Sequence, residues 1–146
     1  MGRFNGWCRA AIALGAIALV TAPALTQDRG RLAALAKLEP GLWQFRDLDD
    51  SGARHPPICI ADPAMLMQLQ HRNSPCTRLV ISNDEKGVTV HYTCPASGFG
   101  RTSLRIETPR LAQIDTQGIS GNAPFAYRIE ARRTGPCPSS HANAGR

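Results

Sequence analysis

Val88-Thr89-Val90-His91-Tyr92-Thr93-Cys94 alternates apolar and polar side chains with a period of two, the spacing that sends successive side chains of a strand to opposite faces of a sheet. Val88, Val90, Tyr92 and Cys94 fall on one side, and Thr89, His91 and Thr93 on the other. The pattern repeats downstream. Thr102 to Thr108 places Leu104 and Ile106 against Ser103, Arg105 and Glu107. Ala112, Ile114 and Thr116 oppose Gln113, Asp115 and Gln117, and Phe125 to Arg133 sets Phe125, Tyr127, Ile129 and Ala131 against Arg128, Glu130 and Arg132. Upstream, Thr77 to Ser82 contains the unbroken run Leu79-Val80-Ile81, which reads as a strand buried on both sides. The connections, Asn83 to Gly87, Pro95 to Arg101, Pro109-Arg110 and Gly118 to Pro124, are short. Links of this length join antiparallel neighbours, because a parallel crossover needs a dozen residues or more. The predicted architecture is therefore mainly β (α+β): an antiparallel β-meander forming a curved sheet or half-open barrel, with one short capping helix and two disulfides.

Working outward, Gly41-Leu42-Trp43-Gln44-Phe45-Arg46 reads as a further strand with Trp43 and Phe45 on its buried face. Asp47 to Pro57, with its aspartates, Gly52 and the pair Pro56-Pro57, reads as an exposed loop. In Ile60 to Gln70, Asp62 is suited to accept bonds from free helix-start amides and Pro63 to the first helical position. Met65, Leu66 and Leu69 then share the side that covers the sheet, while Gln68 faces away. The predicted organisation is a segment 1–24 for removal, a short helix or arm over 25–37, a single domain over 38–138 and a tail over 139–146.

The first 24 residues have a basic start with Arg3 and Arg9, an apolar stretch from Ala10 to Val20, and Ala22-Pro23-Ala24, the layout of a secretory signal. Eleven residues are too few for a membrane span, which needs ~20 in helix. The expectation is a periplasmic or secreted protein with no transmembrane segment after cleavage. With Arg3 and Arg9 gone, the chain carries 15 basic and 11 acidic residues, so a formal charge of +6 becomes +4. The remaining arginines are interspersed with Asp and Glu, and Arg132-Arg133 on a strand would diverge to opposite faces. That is not the concentrated basic surface of a nucleic-acid binder.

Of five cysteines, Cys8 leaves with the signal, and Cys59, Cys76, Cys94 and Cys137 remain. An even number in an exported domain is the condition for a disulfide framework. Three pairings exist. Cys59–Cys76 and Cys94–Cys137 are favoured, the first because it brackets one short element and the second because each cysteine follows a strand and precedes a proline. Spacings of 17, 18 and 43 residues lack the paired knuckles of a four-thiolate zinc site.

Catalytic motifs are sparse. His55, His71, His91 and His141 form no HExxH or HxH pair, so no metal site is expected. His91 lies on the polar face, within reach of strands that carry Glu107 and Asp115, and is the one candidate base. Gly118-Ile119-Ser120-Gly121-Asn122 approaches a nucleophile motif, but it stands between strands rather than before a helix. Ser97-Gly98-Phe99-Gly100-Arg101 reads as a hairpin loop, with Phe99 a candidate contact residue. No catalytic residue, metal or cofactor is assigned.

Leu38-Glu39-Pro40-Gly41-Leu42-Trp43, Cys59-Ile60-Ala61-Asp62-Pro63, Tyr92-Thr93-Cys94-Pro95 and Arg132-Arg133-Thr134-Gly135-Pro136-Cys137 together resemble the DUF3617 family of small exported bacterial proteins. The resemblance spans about residues 38–138 and implies secretion and paired cysteines, with no catalytic residues to carry over. The segment Pro95 to Arg101 is poorer in glycine than the family's loop at this place. The expectation is a non-enzymatic binding module for a small apolar ligand, an envelope component or a protein partner. Its cavity is placed near Trp43, Met65 and Tyr127. The alternatives are a structural or assembly protein of the cell envelope and, with less support, a hydrolase using His91 with a carboxylate.

Overall fold

The computed structural model describes residues 32–49 and 51–138. The expected signal 1–24, residues 25–31 of the arm, the tail 139–146 and His141 lie outside the described residues. Seven strands form one antiparallel sheet: β1 (Gly41–Asp47), β2 (Arg54–Ile60), β3 (Thr77–Asn83), β4 (Gly87–Cys94), β5 (Gly98–Thr108), β6 (Leu111–Ser120) and β7 (Ala123–Gly135). Their order is β2-β1-β7-β6-β5-β4-β3, and the sheet is not closed into a barrel. Strands β3 to β7 form the meander that the alternation predicts. β1 then pairs with β7, setting Phe45 opposite Ala131 and Asp47 opposite Ile129, and carries β2 on its far side.

Because β2 and β3 are the two edges, the chain between Ile60 and Thr77 must cross the whole apolar face to connect them. That segment is the capping helix, Pro63–His71, started by Asp62, whose carboxylate accepts from the Ala64 amide at 2.9 Å. The helix is wound as 3-10 and interrupted at Gln68 (φ −140°, ψ 42°). A tighter pitch moves the covered face. Leu66 and Met67 are fully buried, whereas Met65 and Leu69 are only partly covered. Gln68 is buried rather than turned outward, with its Nε2 donating to the carbonyls of His71 and Ser74 and its Oε1 accepting from Arg78.

Under this helix, Trp43, Ile60, Val90, Tyr92 and Ile114 are at most 1% exposed. The buried hydroxyls of Thr102 and Thr116 share a hydrogen bond across β5 and β6 at 2.8 Å. Arg132 and Arg133 diverge as predicted. Arg132 reaches Glu130, and Arg133 donates from Nε to the Pro40 carbonyl at 2.8 Å.

Four further expectations are corrected. Arg54 to Pro57 belongs to strand β2 rather than to a loop. The proline pair is tolerated there because β2 is an edge and because Pro56 and Pro57 fall where its register with β1 shifts, between Trp43–Ile58 and Phe45–His55. Leu79, Val80 and Ile81 are not buried on both sides but are 67%, 41% and 50% exposed, because β3 is the opposite edge and is bulged between Val80 and Ser82. Phe99 lies on β5 rather than in a hairpin loop, since the β4–β5 turn is only Pro95 to Ser97.

The fourth correction is the pairing: the disulfides are Cys59–Cys137 and Cys76–Cys94, with Cα separations of 5.3 and 4.2 Å. Cys76 immediately precedes β3, whose Thr77 faces Thr93, so it stands opposite Cys94 at the end of the same ladder. Cys59 shares a row with Leu42 and Gly135, two residues short of Cys137. Each bridge therefore follows the strand order rather than the order of the chain.

Candidate functional site

Strand alternation and register build one cleft on the covered face. β1 turns Phe45 and Asp47 to that face, and register puts His55 of β2 opposite Phe45. β2 adds Pro56, Pro57 and Ile58, β7 adds Tyr127 and Ile129, and the end of the capping helix adds Leu69, Gln70 and Arg72. Together they enclose about 550 Å³. Its lining is apolar at Phe45, Ile58, Leu69, Tyr127 and Ile129 and polar at Asp47, His55, Gln70 and Arg72. His55 Nε2 and Asp47 Oδ1 pair at 2.7 Å.

Tyr127 lines this cleft, and burial is the main reason its hydroxyl is held protonated, with its pKa pushed up to about 12 and Tyr92 and Asp47 adding to the effect. Tyr92 is also shifted upward, chiefly by burial, against a hydrogen bond from Thr116. The chain has only these two tyrosines. In the unfolded chain both ionise near ~10. Below that pH both states hold the protons, so the contribution to stability is complete; it is lost as pH rises through about 12, because the unfolded chain ionises first. Tyrosinate absorbance of the folded protein is expected to lag behind that of the denatured chain, with denaturant stability falling over that window. Coincident titration curves would contradict the burial of Tyr127.

The sequence-predicted site residues do not converge. Trp43 is fully buried, with its indole Nε1 donating to the Glu39 carbonyl at 3.2 Å, and it does not line the cleft. Met65 packs against the core from the helix. Of the predicted set, Tyr127 alone lines the cleft. Phe99 is 44% exposed on the outer face, where it lies 5.9 Å from the His91 ring beside Arg101 and Ile119. His91 has no carboxylate oxygen within ion-pair distance among the described residues; Glu107 instead pairs with Arg105 at 2.7 Å, and Asp115 stands opposite Ser103 and Arg128. Sequence reasoning missed Asp47, His55, Ile58 and Arg72. The available signal was that a proline pair between apolar segments suits an edge strand as well as a loop.

His71 is buried, and its role is to fasten the helix to the sheet. Nε2 donates to the Ser97 carbonyl at 3.0 Å, and Nδ1 is hydrogen-bonded to the Tyr92 hydroxyl at 3.3 Å. A separate cleft of about 650 Å³ beside it is walled by turn and polar residues such as Asn73, Ser97 and Gly121. It lacks the apolar lining that holds a small molecule.

Among the described residues, no three His, Cys, Asp or Glu side chains come together to hold a metal ion. No helix there is long and apolar enough to cross a membrane. No family model matches the chain, and no curated protein or solved structure shows significant similarity to it.

Proposed function

We propose that the chain is an exported, non-enzymatic binding module that holds a small, largely apolar ligand in the cleft between β2, β1, β7 and the capping helix. The observation that carries this reading is the meeting of Phe45, Ile58, Leu69, Tyr127 and Ile129 around about 550 Å³. That volume lies within the ~300–1,000 Å³ of small-molecule pockets. The two disulfides support an oxidising, non-cytoplasmic compartment. The signal-like segment 1–24 and the resemblance to DUF3617 proteins support export and leave the ligand open.

The test is titration with the neutral apolar fluorophore N-phenylnaphthylamine. Saturable, blue-shifted emission is expected. Leu69→Arg, which places a charge on the cleft wall, should weaken binding by about tenfold or more, while Phe99→Ala on the outer face should change it by less than about twofold. No saturable binding, or equal losses in both variants, would overturn the cleft reading. The function would then be sought in assembly through the β3 edge, where Leu79, Val80 and Ile81 are exposed.

A further inference from the structure

We infer that the ligand of this cleft is an apolar molecule with one acidic head group, in the chemical class of a long-chain monocarboxylate. The inference rests on the cleft reading above and adds the identity of the polar end. It comes from the hydrogen-bonding groups that the cleft leaves unused.

The apolar walls set the body of the ligand, and the polar lining sets its head. Asp47, the one carboxylate among the described residues of the cleft, is already engaged by His55 at 2.7 Å. The Arg72 guanidinium makes no hydrogen bond or ion pair with any described residue, although it lines the cleft from the end of the capping helix. Arg46, Arg105, Arg110, Arg132 and Arg133 each have an acidic partner, whereas Arg54, Arg101 and Arg128 have none among the described residues; what sets Arg72 apart is its place in this cleft. The Tyr127 hydroxyl, in the same cleft, also makes no hydrogen bond with a described residue.

Arg72 and Tyr127, with the Gln70 amide that also has no side-chain partner among the described residues, offer donors to an anion. A guanidinium donates only, and a phenol kept neutral by its surroundings donates its O–H. A carboxylate accepts from both, and charge-assisted bonds of this kind are the stronger ones. A cationic head would meet Arg72 with like charge; an acidic head meets Asp47, but that carboxylate is taken by His55 whereas Arg72 has no partner among the described residues. A neutral alcohol would accept from the same donors without the charge. The expected order of affinity is therefore acid, then alcohol, then amine, at constant chain length.

Decanoate, decanol and decylammonium share one tail and differ only at the head. Each is titrated against bound N-phenylnaphthylamine at neutral pH, with wild-type protein and with Arg72→Gln, Tyr127→Phe and Leu69→Arg variants whose folding is confirmed by circular dichroism. Decanoate is expected to displace the fluorophore at about tenfold lower concentration than decanol. Arg72→Gln should remove most of that advantage and leave decanol unchanged, and Tyr127→Phe should remove a smaller part. If the three compounds displace equally, if the amine is best, or if Arg72→Gln keeps the preference for decanoate, the acidic head is wrong. Provided that Leu69→Arg still weakens the neutral fluorophore and decanol, the cleft itself stands. If neither the fluorophore nor any of the three binds, both readings fall together.

Discussion

Replacing Cys59 and Cys137 together by serine is expected to lower the free energy of unfolding by about 4–5 kcal/mol, and replacing Cys76 and Cys94 by about 3 kcal/mol. The difference follows from loop length. The first bridge joins residues 78 apart and the second residues 18 apart, so the first removes more freedom from the unfolded chain. Set against the ~5–15 kcal/mol that holds a typical domain together, the Cys59–Cys137 variant should be marginal. Its loss should also be local, because that bridge fastens edge strand β2, which pairs only with β1 and carries Pro56 and Pro57. Ile58 would leave the cleft wall as β2 frays, so ligand affinity should fall in this variant and hold in the other. Denaturant titration of both double variants, with non-reducing peptide mapping to confirm the surviving bridge, reads the result. Equal losses, or a larger loss for Cys76/Cys94, would contradict the assigned pairing or its loop-closure account.

The same bridges show why one part of the fold is legible in the sequence and another is not. Faces of β4, β6 and β7 follow directly from two-residue alternation, because each is a central strand with one face buried and one solvated. The alternation of β4 holds residue by residue, with Val88, Val90, Tyr92 and Cys94 all at most 2% exposed. Strand order around β1 carries no such local signal. Its partner β7 lies at the other end of the chain, and only that long-range pairing brings Cys59 near Cys137. Chain proximity favours the wrong bridge for this reason.

Edges are the second source of error, and the site sits beside one. An edge strand tolerates proline and needs no apolar alternation on its free side, so β2 resembles a loop in sequence. His55 and Asp47 are eight residues apart, and the β1–β2 hairpin is what brings them to 2.7 Å. Hydropathy errs in the opposite sense at β3, where Leu79-Val80-Ile81 has the composition of a core strand and the exposure of an edge. Tyr127 was identifiable because it belongs to a central alternating strand. Arg72 was not, because nothing in His71-Arg72-Asn73 shows which end of the sheet the helix reaches.

Trp43 gives the other large effect, and it separates core from cleft. A tryptophan lining a binding cavity would couple its loss to affinity; a tryptophan inside the core couples it to stability. Trp43 is fully buried, faces Ile58 across the β1–β2 ladder and spends its indole N–H on the Glu39 carbonyl. Truncation to alanine removes a large side chain that the rigid sheet cannot collapse around, so Trp43→Ala should cost about 3–5 kcal/mol. Trp43→Phe keeps part of the volume but strands the Glu39 carbonyl, and its cost should be smaller. Denaturant titration measures both losses. Affinity for N-phenylnaphthylamine, measured for the folded fraction, should stay within about twofold in Trp43→Phe, because Trp43 contributes no wall to the cleft. A variant that keeps its stability and loses binding would put Trp43 back among the ligand contacts and require the cleft to extend past Ile58 into the core.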